Sequence, residues 1–116
     1  MAYESLYEQF RVVGPEGRTR EVAFKKAGSL VAGDHPELYF FEVDAQSVVV
    51  GVSGVALTEW QRSRRYLSRE EKIDVAGLWL KRRMAAGDEA TPEKLYLREA
   101  DLEEMVRQLG LTVRCL

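Results

Sequence analysis

The chain is poor in the residues that carry most protein chemistry. Among its 116 residues there is one cysteine, Cys115, and one histidine, His35. A lone cysteine forms no internal disulfide, and one Cys with one His is too small a set for a structural zinc site. Only carboxylates would remain to hold a metal, and no spacing singles out a set of them, so neither metal nor cofactor is expected. No apolar run approaches the ~20 residues that a membrane-spanning helix needs. The opening MAYESLYEQF lacks the charged-then-apolar layout of a signal peptide. The expected location is therefore cytoplasmic, with no membrane partner. A large charge of one sign is missing too: 17 Lys and Arg stand against 19 Asp and Glu, a net charge of -2. Nothing global draws the chain to nucleic acid or to an anionic surface.

What is present is globular in kind. Apolar residues make up 46% and charged residues 31%, which argues against disorder. The length fits one domain, 1–116, burying roughly two-thirds of the surface of the unfolded chain. Leu6, Phe10 and Val12 alternate with polar neighbours, Gly14-Pro15-Glu16-Gly17 is dense in turn formers, and Val22 and Phe24 alternate again, which predicts a β-hairpin. A polar loop, Gly28 to Glu37, follows. Strands over Leu38–Val43 and Ser47–Val52, joined across Asp44-Ala45-Gln46, make a second hairpin, expected at the centre of the sheet. Both faces of this pair are apolar: Leu38 and Phe40 point one way, Tyr39, Phe41 and Val43 the other, and Val49 opposes Val48, Val50 and Val52. Such strands need cover on each side, from helices or from a partner subunit.

Ser68-Arg69-Glu70-Glu71 matches a capping box and predicts a helix beginning near residue 69. Ile73, Ala76, Gly77, Leu80 and Met84 form its stripe, widened by Val75, Leu78 and Trp79, and it should stop near Gly87. Leu95-Tyr96-Leu97 reads equally as a short extended piece or as the lead-in to a helix. Leu102, Met105, Val106 and Leu109 predict a short amphipathic helix ended by Gly110, and Leu111, Val113 and Cys115 alternate as a terminal strand. The fold class is α+β: two β-hairpins in a mostly antiparallel sheet, packed by two to three helices, with a short C-terminal strand.

Four features compete as sites. Val52-Ser53-Gly54-Val55 follows a strand and precedes a helix through Leu57 and Trp60, yet a nucleophile elbow needs Gly where Val55 stands and a downstream His that is absent. Ser53 reads as a helix cap. Gly51 and Gly54 before a helix resemble an anion loop only in part, without the further glycines or the Lys-Ser/Thr of phosphate loops. His35 and Cys115 would make a thiolate pair only if the fold joined a loop to a terminal strand, and Glu70, Glu71 and Asp74 suit the first turns of a helix without acid-base work. No catalytic residue is expected, and the chain reads as a non-enzyme.

Two contact readings remain. Residues 60–83 carry a net +5 while residues 1–59 and 84–116 carry -4 and -3. Within that segment Arg62, Arg64, Arg65 and Arg69 surround Tyr66, with Trp60 just before, and Lys81, Arg82 and Arg83 follow, a composition that suits phosphate tracking beside a stacking platform. The simpler account is that these cations solvate the surface and pair with nearby acids. The leading expectation is a protein-protein interaction or regulatory module, self-associating as a homo-oligomer, with Tyr39, Phe41 and Trp60 as interface candidates. Nucleic-acid binding through Arg62, Arg64, Arg65, Lys81, Arg82 and Arg83 is the alternative.

Overall fold

The fold is taken from a computed structural model, which describes residues 5–30, 35–88 and 96–111. The elements are β1 (Gln9–Val13), β2 (Thr19–Ser29), β3 (Glu37–Val43), β4 (Gln46–Val52), α1 (Gly54–Ser63), α2 (Arg69–Ala85), β5 (Tyr96–Leu97) and α3 (Glu99–Leu109). The strands lie in the order β1-β2-β3-β4-β5, antiparallel except for β5, which runs parallel to β4. This is an α+β architecture, a curled, mostly antiparallel sheet with three helices.

Each hairpin turns for a local reason. Gly17, at φ 81, occupies the left-handed region in the first turn. The second loop is the two residues Asp44 and Ala45, at φ 48 and 70, whose paired positive φ values match the twist of the strands they join. Asp44 is held there by its carboxylate, which accepts from the Glu21 amide at 3.0 Å and from Arg20 Nε at 3.0 Å. These donors, the Glu21 amide first, keep its carboxyl below the usual aspartate range. β2 reaches two residues further than the turn-forming Gly28 implies, pairing Ser29 with Glu37, with an irregularity between Phe24 and Lys26.

The helices begin where side chains satisfy free amides. Ser53 Oγ accepts from Ala56 N at 3.2 Å to open α1. At α2 both halves of the capping box form, Glu71 N to Ser68 Oγ at 3.1 Å and Ser68 N to Glu71 Oε1 at 2.8 Å. α3 ends at Gly110 in the left-handed conformation, φ 69.

One face of the sheet carries the core. Val12, Val22, Phe41, Val43, Val50 and Val52 pack with Trp60 of α1, Ile73 and Leu80 of α2, and Leu102 and Val106 of α3. α2 is buried continuously from Ile73 to Leu80, which accounts for apolar residues beyond a single stripe. It lies among β1, β4, α3 and the segment that precedes β1. That segment is tied down by Asp74, wholly buried, whose carboxylate accepts from Ser5 Oγ at 2.6 Å, Leu6 N at 2.9 Å and Tyr7 N at 3.0 Å. Gly77 makes the approach possible, because a Cβ there would stand 2.5 Å from Tyr7 Cβ.

Two expectations change. β4 is not central along its length among the described residues, where β5 pairs only with Gly51 and Val52. Leu111 is not in a strand, and Val113 and Cys115 lie outside the described residues. Tyr96 and Leu97 resolve their two readings as a strand, with the helix starting at Glu99.

Candidate contact surface

The two apolar faces of the central hairpin have different fates. Tyr39, Phe41 and Val43 are buried beneath the helices. Their neighbours Leu38, Phe40 and Val49 are only half-buried and stand outside the core cluster. Cross-strand registers place Phe40 beside Val49 and Leu38 beside Gly51, with Tyr96 next in line on β5. The Tyr96 ring lies over Gly51, where a Cβ would meet it at 2.9 Å. Lys26, opposite Phe40 on β2, sets its ammonium 5.1 Å from the Phe40 ring centroid. Toward the hairpin turn the same face becomes polar, with Glu42 opposite Ser47 and Arg11 paired to Glu21 at 2.8 Å. The outer face is thus an apolar patch, Leu38, Phe40, Val49 and Tyr96, with a charged flank. Among the described residues no helix covers it.

The patch runs out to a strand edge. Among the described residues nothing pairs with Gln46–Val50 on the side away from β3. β4 has no charged residue and no proline in its seven positions, Gln46–Val52. The opposite edge, β1, displays Arg11, the kind of charge that protects an exposed strand from pairing.

The expected interface residues do not lie on this surface. Tyr39 is 2% exposed, Phe41 1% and Trp60 0%, so these side chains belong to the monomer's own core and a contact surface must use others. The Tyr39 hydroxyl donates to Glu37 Oε1 at 2.7 Å. Burial first, and then that carboxylate, raise its pKa far above the ordinary phenol range. Trp60 donates its indole N–H to Glu103 Oε2 at 2.6 Å, and Arg64 Nε reaches the same oxygen at 3.0 Å, joining α1 to α3.

The six cations are separated and mostly engaged. Arg65 forks onto Glu71 at 3.0 and 2.7 Å, holding that carboxyl below its usual range. Arg82 faces Glu104 at 3.6 Å, and Arg83 meets Asp88 at 3.0 Å while lying over the Trp79 ring. Lys81 sits 5.7 Å from the Tyr7 ring centroid. Arg64 is taken by Glu103, which leaves Arg62 exposed at the end of α1. Residues 62–65 lie at the end of α1 and in the connection to α2, and residues 81–83 in the last turns of α2, with Arg64 and Arg82 reaching the adjacent Glu103 and Glu104 of α3.

The remaining candidates resolve locally. Ser53 serves α1 as its cap, and His35 is exposed. A cleft of about 240 Å³ lies between the first hairpin turn and the end of α2, floored by Val48, Leu80 and Met84 and rimmed by Glu16, Arg20 and Asp88. Arg20 at its rim is already bound to Asp44. Among the described residues no group of His, Cys, Asp and Glu is placed to hold a metal, and no helix is long and apolar enough to cross a membrane. The chain matches no protein-family model, no curated protein and no solved structure.

Proposed function

We propose that this chain is a non-enzymatic contact module of the cytoplasm that binds another protein, a second copy of itself included, through the outer face of its sheet. One observation carries the reading: Leu38, Phe40, Val49 and Tyr96 form an apolar patch outside the core on a face without a helix among the described residues. Apolar surface gathered in one place, rimmed by charge, is the usual form of a protein contact site. The engagement of Ser53 as a cap supports a role without catalysis, and no cofactor belongs to this reading. Phe40→Glu tests it, because the new carboxylate lies beside Lys26 and leaves the inner face untouched. Light scattering at high micromolar concentration should show the parent chain heavier than a monomer and the variant shifted toward one, with equal unfolding midpoints. An unchanged mass distribution in the variant removes the outer face from the proposal.

A second reading, binding of single-stranded nucleic acid, keeps one observation in its favour. Tyr66 is 80% exposed between Arg62 and Arg69 at the connection of α1 and α2, which suits base stacking beside phosphate contacts. It requires affinity for a mixed-sequence oligonucleotide that falls steeply with salt and is lost in Tyr66→Ala.

A further inference from the structure

We draw no further inference here: the strongest candidate, the apolar patch of Leu38, Phe40, Val49 and Tyr96 on the outer face of the sheet, belongs to the contact surface already described, and nothing in the structure shows what covers it.

Discussion

Replacing Asp74 by Ala should release the segment that precedes β1. The carboxylate is wholly buried and accepts from Ser5 Oγ, Leu6 N and Tyr7 N at 2.6 to 3.0 Å. Hydrogen bonds to a charged group contribute about 1.5–3 kcal/mol each, so the three described donors together amount to about 4.5–9 kcal/mol by the same measure. That sum is not the cost of the substitution. If the segment that carries the donors lifts away, its amides regain water. Removing the carboxylate also removes the cost of keeping a charge out of solvent. What is lost is the docking of residues 5–7: those bonds, the packing of Tyr7 on Gly77 and its edge-to-face contact with Phe10 at 5.3 Å. The expected loss is about 2–4 kcal/mol, in the range of a disrupted buried network, or a fall in Tm of roughly 8–16 °C for a chain of this size. Thermal unfolding followed by circular dichroism measures it, and amide exchange locates it. Protection at Leu6 and Tyr7 should vanish while protection in β3 persists up to global unfolding. Asp74→Asn, which keeps one carbonyl acceptor, should fall between. A Tm within 2 °C of the parent, or retained protection at Leu6 and Tyr7 in Asp74→Ala, would refute the reasoning; the 2 °C bound corresponds to about 0.5 kcal/mol.

Two further perturbations address the same helix. Gly77→Ala puts a methyl group 2.5 Å from Tyr7 Cβ, and although alanine favours helix by about 1 kcal/mol, the clash should win and cost about 1–3 kcal/mol; a stabilised variant in urea unfolding would show that the segment moves aside freely. Glu71→Gln breaks the Arg65 fork and should cost about 1–3 kcal/mol at neutral pH. Arg65 holds the folded carboxyl below the ordinary value of 4.5, so its contribution is complete above 4.5 and is lost as the pH falls through the folded value. Urea midpoints of parent and variant should converge below pH 4.5, and a gap of constant size would contradict the assignment.

Local signals in the sequence are the ones that can be read directly. Ser68 to Glu71 spells its capping box in four consecutive residues, and Gly110 stops α3 where the apolar periodicity ends. Roles that depend on distant partners are not spelled in this way. Asp74 reads as one more acid in the first turns of a helix, because its donors are 67 to 69 positions away. Glu71 both caps its own helix and binds Arg65, and only the first role has a spacing. Trp60 beside Arg62 and Arg64 has the composition of an exposed contact site, yet α1 turns it inward, and its one polar atom is satisfied by Glu103 from α3. Four of the five arginines meet a carboxylate in the fold, Arg64 with Glu103, Arg65 with Glu71, Arg82 with Glu104 and Arg83 with Asp88, which composition alone does not show, while Arg62 stays exposed.

The choice of inner face in β3 shows where the functional question enters. Strand alternation makes two sets, Leu38, Phe40 and Glu42 against Tyr39, Phe41 and Val43, and hydrophobicity alone barely separates them at the start of the strand. The end of the strand decides. Glu42 lies opposite Ser47, and burying that polar pair beneath α2 would strip both of water without a partner. Val43, paired with Val22 on its other side, loses nothing by burial. Once this end is fixed, the pleat leaves no freedom at the other, because a strand cannot reverse its faces without a bulge. Leu38 and Phe40 are therefore carried outward by the constraint that solvates Glu42. Folding of one chain does not require them to be apolar there: a polar residue at either position would leave the inner set unchanged and lower the risk of aggregation. Their apolar character, shared with Val49 and Tyr96 alongside, is what the proposed contact with a second surface would use, which is why the outer face carries the functional proposal while the buried aromatics do not.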